Sequence, residues 1–347
     1  MEKVVLGLSG GVDSSVAAAI LKKQGYEVIG ITFQFIDNFD AEDAIKVAKT
    51  LNIEHHIIDY RDIFKEKVIN KFLTDYKSGI TPNPCVICNK NVKLRFLLDE
   101  MYKLNADYIA TGHYAKIKDN RLFKSIDKNK DQTYFLSQIT KEELSRILLP
   151  LETIAKEEVR EIAKELGLTN ALKKDSTDVC FINKKFSEYI STNIKSTPGD
   201  IINIENNAVL GKHKGLSYYT IGQRRGLDIG GTNGRCYVVG KSISKNILYV
   251  AIGENSEALI SDSAIIEDVN LFTDTNVKKC TAKFRYRQAE EPVELEYLEA
   301  NKVLVKYPQG IKAVTPGQAC VFYDAEECLG GGIIKEVRKN NQQLWYL

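Results

Sequence analysis

Residues 3–23 constrain the fold of this chain more than any other stretch. Lys3-Val4-Val5-Leu6-Gly7-Leu8 has the apolar run of a buried strand. Ser9-Gly10-Gly11-Val12-Asp13-Ser14-Ser15 follows at once, and an alanine-rich helical stretch runs from Val16 to Lys23. A strand, a glycine loop and a helix start in this order build an anion site. Backbone N–H groups of the loop and the first helical turn point at one spot, and the helix dipole favours negative charge there. Gly10 and Gly11 let the backbone come close to a phosphate. No lysine follows the glycines, so the loop is not of the G-x-x-x-x-G-K-[ST] type. The alternative is an ordinary strand-to-helix turn.

Alternation of strand and helix continues downstream. Strands are expected at 28–33, 53–58 and 107–111, and helices at 40–51, 63–76 and 89–104, from runs of β-branched residues and from apolar spacing along helical faces. Further helices are expected at 141–146 and 156–166, with Gly167 as a stop. This order predicts an α/β fold, a doubly wound parallel sheet with helices on both faces. Ligands then lie at the carboxyl ends of the strands, where Ser9–Ser14, Phe33 and Gly112–His113 fall. After Pro198 the texture changes to short β-type runs separated by turn residues, and from about Asp268 these runs suggest a small barrel. The expected division is a catalytic domain over 1–200, a central β-rich domain over 201–267 and a C-terminal β-barrel over 268–347.

At 347 residues the chain has room for two or three domains, and 44% hydrophobic with 27% charged residues is a globular composition. No apolar stretch is long enough to span a membrane and no signal peptide is evident. Seven cysteines, an odd number, then argue for a reducing cytosol rather than a disulfide framework, so a cytoplasmic location is expected. The net charge of +2 does not announce nucleic acid, but local clusters do more. Lys278, Lys279, Lys283, Arg285 and Arg287 lie close together without an acid between them, and strand alternation would align Lys283, Arg285 and Arg287 on one face. Lys212, His213, Lys214, Arg224 and Arg225 form a second set.

Thr81-Pro82-Asn83-Pro84-Cys85-Val86-Ile87-Cys88-Asn89-Lys90 is the second chemical signal. The prolines exclude helix until the cysteines. Cys88 then lies near a helix start with Lys90 and Lys93 close by, an environment expected to lower its thiol pKa. C-x-x-C alone admits a redox pair, half a zinc site, a reactive thiol or a buried structural pair. Lys174-Asp175-Ser176-Thr177-Asp178-Val179-Cys180-Phe181 is the third signal, and alone its cysteine would be read as structural. Cys236, Cys280, Cys320 and Cys328 sit in strand-like runs and are expected to be structural.

Together these segments carry a resemblance. Ser-Gly-Gly-x-Asp-Ser is similar to the pyrophosphate loop of the ATP pyrophosphatases. Asn83-Pro84-Cys85-x-x-Cys88-Asn89-Lys90, Thr111-Gly112-His113-Tyr114-Ala115, Lys130-Asp131-Gln132-Thr133-Tyr134-Phe135-Leu136, Asp175-Ser176-Thr177-x-x-Cys180-Phe181, Tyr219-Thr220-Ile221-Gly222-Gln223-Arg224-Arg225-Gly226-Leu227 and Phe284-Arg285-Tyr286-Arg287-Gln288 follow in order. Over nearly its full length the chain resembles the bacterial-type tRNA-specific 2-thiouridylases of that superfamily.

The resemblance implies an enzyme that uses ATP to replace the C2 oxygen of the wobble uridine in certain tRNAs by sulfur, releasing AMP and pyrophosphate. Cys180 matches the persulfide-carrying cysteine and Cys88 the second catalytic cysteine. The two are implied to end as a disulfide that a reductant reopens. Gly7, Leu8, Ser9, Gly10, Gly11, Val12, Asp13 and Ser14, with Phe33 and Gly112, match the ATP site. Asn83, Pro84 and Cys85 match the target-base segment, and Lys130, Asp131, Gln132, Arg285 and Tyr286 match tRNA contacts. A cysteine desulfurase or sulfur carrier is implied upstream, and no membrane partner. Asp13 is a candidate either for organising Mg²⁺ or for capping its helix.

Cys85 stands where some relatives have Asp, which opens alternatives. Cys85, Cys88 and Cys180 could hold a [4Fe–4S] cluster, or with His113 a zinc ion, in place of a persulfide relay. Another ATP pyrophosphatase synthetase, needing neither cysteine, is a more distant alternative. A tRNA-binding or sulfur-carrier protein without turnover is the non-enzymatic rival.

Overall fold

The computed structural model describes residues 1–37, 39–174, 179–273, 276–299 and 301–347. The motif residues Asp175, Ser176, Thr177 and Asp178 lie outside the described residues.

Five parallel strands form the first sheet, in the spatial order Glu54–Asp59, Glu27–Gln34, Lys3–Gly7, Tyr108–Ala110 and Ile147–Leu148. Alternate residues of the central strand feed two different cores. Val5 packs with Ile29, Ile31 and Ile109 on one face. Val4 and Leu6 pack with Val28 and Ala110 on the other. A strand covered on both faces needs a continuous apolar run, which is why Val4-Val5-Leu6 carries no polar alternation. The strand order reverses between Lys3–Gly7 and Tyr108–Ala110, so the loops after these two strands open into one crevice.

The cysteine motif begins a helix rather than preceding one. Pro84–Cys88 is α-helical, Asn89–Lys93 is a π turn, and Leu94–Lys103 continues as α-helix. Pro84 takes the first helical position, where its missing N–H leaves no bond unmade. The Asn83 side chain caps that end, accepting from the Val86 N–H at 3.3 Å. A second helical segment, Arg61–Phe64 through Lys71–Lys77, carries its own π turn at Lys65–Asn70.

Beyond residue 198 the chain is β-rich, as expected. Cys236–Ser242, Ile247–Ile252, Gly199–Asn203 and Val209–His213 make a four-stranded sheet. Ile260–Leu271 pairs with Val303–Lys312 on one side and Glu327–Lys339 on the other, which closes a barrel through Glu291–Tyr297, Lys279–Lys283 and Ala319–Asp324. The expected boundary between 267 and 268 falls inside the strand Ile260–Leu271. The strand expected to align Lys283, Arg285 and Arg287 on one face stops at Lys283.

One connection has no counterpart in the sequence pattern. The hairpin Ala115–Lys118 and Arg121–Lys124, which leaves the first sheet after Gly112–His113, adds to the barrel wall. Leu122 pairs with Cys328 and Phe123 with Glu327. Arg121 clamps the Glu327 carboxylate with two N–H groups, its Nε lying 2.6 Å from Oε1. One apolar core therefore runs from Val5 and Ile109 through Leu122 to Val321, Tyr323 and Cys328. Leu122 is fully buried. Leu122→Ala should destabilise the protein by about 2–4 kcal/mol. The check is a thermal melt, in which the first sheet and the barrel should lose structure at lower temperature together.

Candidate active site

A cavity of about 1120 Å³ opens between the carboxyl ends of the parallel strands, the cysteine helix and the barrel. Its wall includes Gly7, Leu8, Ser9 and Phe33 from the strand ends, Pro84, Cys85, Cys88, Asn89 and Lys93 from the cysteine helix, and Cys180 from the opposite side. His113, Lys130, Gln132, Arg285, Tyr286, Arg287 and Gln318 complete the polar lining. Among the described residues of this wall there is no carboxylate.

The glycine loop is held by its own serines. Ser14 Oγ accepts from the Ser9 N–H at 3.2 Å and donates to the Gly11 carbonyl at 3.1 Å. Ser15 Oγ donates to the same carbonyl at 2.8 Å. Gly10 has φ of +71°, and a Cβ there would lie 2.9 Å from the Ala44 backbone nitrogen. Gly112 sits so close to the loop that a Cβ would lie 2.8 Å from the carbonyl carbon of Asp13 and the nitrogen of Ser14. Asn170, which no motif marked, fixes the loop from behind by donating to the Gly10 carbonyl at 2.9 Å and to Ser15 Oγ at 2.8 Å.

Asp13 does not cap its helix. Gly11 occupies the N-cap position of the helix, with no side-chain cap. Asp13 Oδ1 instead accepts from Tyr114 OH at 2.7 Å and from Lys156 Nζ at 2.5 Å. Both contacts engage Oδ1, and the side chain stays about 35% exposed, so Oδ2 could still serve as an oxygen ligand for Mg²⁺.

Cys85, Cys88 and Cys180 line the same cavity, but without the expected acidity. Cys85 and Cys88 are partly buried, and Cys180 lines the facing wall with part of its surface open to solvent and the rest desolvated by the cavity. Burial pushes the Cys88 thiol up to about 12 and the Cys85 thiol up to about 11, and raises that of Cys180. The expected lowering at Cys88 fails because the charged form is desolvated more than nearby cations compensate. Of the two lysines, Lys93 does oppose the rise at all three cysteines. Lys90 turns away and donates to Gln138 Oε1 at 3.0 Å.

Metal binding by this trio finds no geometric support. Among the described residues, no three His, Cys, Asp or Glu side chains are grouped so as to hold an ion. His113 Nδ1 lies 2.7 Å from Thr111 Oγ1, and burial drives its pKa well down. As placed, these residues do not fit a [4Fe–4S] cluster or a zinc ion, and no step is derived through either.

The expected tRNA contacts divide into wall and frame. Lys130, Gln132, Tyr286 and Arg287 face the cavity. Asp131 is buried, where its carboxylate accepts from the Ser125 N–H at 3.3 Å and from Thr133 Oγ1 at 2.7 Å. Asn83 serves as the helix cap, and Pro84 and Cys85 reach the wall. Arg285 lines the cavity but spends Nη2 on the Ile221 carbonyl (2.9 Å), the Ala313 carbonyl (2.5 Å) and Thr315 Oγ1 (2.8 Å). Because the strand ends at Lys283, Arg285 and Arg287 do not extend a charged strand face. Lys283 is itself 3.8 Å from Glu290, and Lys279 is 2.9 Å from Glu294. The second basic set is likewise reduced. Lys212 pairs with Asp200 and Lys214 with Asp228, while His213 is buried. Arg224 and Arg225 stay exposed. Gln318, also unmarked by the sequence, braces the proline loop by donating to the Thr81 carbonyl at 2.8 Å.

Comparison with known proteins agrees with this layout. A tRNA methyl transferase HUP domain matches residues 2–184, a tRNA methyl transferase PRC-barrel domain 187–252, and an aminomethyltransferase beta-barrel domain 261–334. The tRNA-specific 2-thiouridylase MnmA of Bacillus licheniformis is 47% identical over 365 residues, covering 99% of this chain and 98% of the relative. The chain belongs to the tRNA-specific 2-thiouridylase family. Another 2-thiouridylase, from Listeria monocytogenes, is 45% identical over 363 residues with 99% and 98% coverage. Similar solved structures include a 4-thiouridine synthetase–RNA complex with bound ATP, at 22% identity and a TM-score of 0.36, spanning 52% of this chain and 45% of that one. The NMN synthetase of Francisella tularensis gives 21% identity and 0.34, over 50% and 66%.

The buried thiols give a direct test. At pH 8, without substrates, Cys88 should react with iodoacetamide at least about tenfold more slowly than a free thiol, because its thiolate fraction is smaller. Its rate should still be climbing above pH 10, where an ordinary thiol has levelled off. Peptide mass spectrometry of the alkylated protein across pH reads both.

Proposed function

We propose that this protein is an ATP-dependent tRNA-uridine 2-sulfurtransferase that converts the wobble uridine of its tRNAs to 2-thiouridine. The observation that carries this reading is the meeting, in one cavity without a described carboxylate, of the phosphate-loop strand end, two walls of cysteine and a set of cations. Such a wall suits a polyanionic nucleotide and an RNA phosphate backbone together. Membership of the 2-thiouridylase family supports the same chemistry.

A carbonyl oxygen is a poor leaving group. Attack of the uridine C2 oxygen on the α-phosphorus of ATP expels pyrophosphate and leaves C2 bonded to AMP through that oxygen. The terminal sulfur of a persulfide on Cys180 then replaces the oxygen, and AMP departs with the bonding pair. Cys88 supplies the second thiolate. It takes Cys180 Sγ into a disulfide, either after C2 has captured the sulfur or as hydrosulfide is released toward C2. Both orders consume one persulfide and one thiolate and leave the same Cys88–Cys180 disulfide. A dithiol reductant must reopen it, and a cysteine desulfurase or sulfur carrier must reload Cys180. Lys130, Gln132, Tyr286 and Arg287 are the side chains placed to meet tRNA, while Asp131 and Arg285 hold their supports. The three-part division into 1–200, 201–267 and 268–347 is the functional partition, with its second boundary moved ahead of the strand Ile260–Leu271 and the last two parts gripping RNA.

Two experiments test this reading. Gly10→Val should abolish tRNA-dependent AMP formation and leave tRNA affinity within about threefold, because the φ of +71° and the nearby Ala44 backbone exclude a branched side chain at the phosphate loop. AMP release by thin-layer chromatography and tRNA binding by filter retention separate the two effects. Cys180→Ser should lose both the protein-bound persulfide and thiouridine. Cys88→Ser should keep the persulfide and lose thiouridine. Cys85→Ser should retain substantial activity, since Cys85 shapes the base pocket in a two-thiol relay. Nucleoside mass spectrometry measures each. Total loss at Cys85, together with stoichiometric iron in anaerobically purified protein, would replace the relay with a cluster.

A further inference from the structure

The π turn at Asn89–Lys93 has a consequence for the cysteines beside it. In a regular α-helix a residue five positions on lies about 140° around the axis. Lys93 would then point away from Cys88. A π turn, whose bonds run from i to i+5, brings residue 93 back over residue 88. Lys93 accordingly lines the same cavity as Cys85, Cys88 and Cys180. It has no carboxylate partner among the described residues; burial lowers its pKa, and the three cysteines are the charges that oppose that lowering. The described wall offers this ammonium no carboxylate, which favours an anion at the sulfurs beside it.

We propose that Lys93 is the charge partner of the cysteine pair: the π turn aims its ammonium at the sulfurs so that those of Cys88 and Cys180 stand as anions when sulfur is transferred. The roles of these two sulfurs rest on the sulfurtransferase reading above, but the Coulombic pairing does not. Lys93 acts through the cysteines and is a positioning residue. Other groups facing it are Cys85 and the neutral His113, with Lys130, Arg285 and Arg287 further along the wall. Each of those three is a cation and none can substitute as an anion partner for Lys93. The proton released when Cys88 ionises goes to solvent through the open cavity, and the thiolate that forms favours the charged form of Lys93 against its burial.

Lys93→Met removes the charge while keeping most of the volume, and Lys93→Arg restores the charge. The pH profile of iodoacetamide alkylation at Cys88 and Cys180, without ATP or tRNA, should move upward by at least half a unit in Lys93→Met and return most of the way in Lys93→Arg. In single-turnover assays with persulfide-loaded protein, thiouridine formation should fall at least 30-fold in Lys93→Met, while tRNA-dependent pyrophosphate release stays within about threefold. An unchanged alkylation profile in Lys93→Met overturns the proposal. So does loss of pyrophosphate release with unchanged alkylation, which would assign Lys93 to the nucleotide. Should the wild-type protein itself fail to thiolate tRNA, the sulfurtransferase reading falls, while the alkylation profiles still decide the Lys93 pairing.

Discussion

The site depends on a short ladder of backbone hydrogen bonds between Leu122–Phe123 and Glu327–Cys328. Through it a hairpin of the α/β unit becomes part of the barrel wall, and the barrel is fixed against the mouth of the parallel sheet. Gln318 then reaches the proline loop, and Arg285 ties Ile221 of the middle sheet to Ala313 and Thr315. With these links in place, the facing walls of the cavity are parts of one packed body. Reactive groups contributed by distant segments can be held to within a fraction of an ångström only on such a support.

Burial and charge oppose each other at the cysteines. Desolvation raises all three thiols, and the cation on the same helix pulls them back only in part. A resting enzyme with protonated thiols is protected from adventitious oxidation, since the thiolate is the reactive form. Its chemistry begins when a persulfide or a substrate alters that balance. The glycine loop shows the same economy, with Asp13 neutralised by Lys156 and the loop geometry left to serine hydroxyls.

Much of the first sheet was legible because a strand buried on both faces announces itself as a pure apolar run, and Val4-Val5-Leu6 is one. The glycine loop was legible because the backbone there permits little else. The cysteine helix was half legible. Pro84 marked its start, but nothing in Asn89-Lys90-Asn91-Val92-Lys93 distinguishes a π turn from an α turn, so Lys90 and Lys93 looked equivalent. Burial of the thiols was invisible as well, since the cavity wall around them is assembled from segments far apart in the chain, Phe64, Phe135 and Phe181 among them. The structural role of Arg285 was not legible either, because a basic residue in a basic run carries no sign that three oxygens wait for it inside the fold. Asn170 and Gln318 had no signal at all, because ordinary amides become functional supports only through tertiary placement.

The Arg121–Glu327 clamp joins residues 206 positions apart. At a synthesis rate of roughly 5–20 residues per second, the hairpin leaves the ribosome on the order of ten seconds or more before its partner strand exists. During that interval Arg121–Lys124 is an unpaired sheet edge, open to pairing with another nascent chain. Lys116, Lys118, Arg121 and Lys124 give it a row of like charges. Like charges of this kind oppose edge-to-edge pairing of two such hairpins, a protection that counts most before the strand Glu327–Lys339 is made and claims the edge.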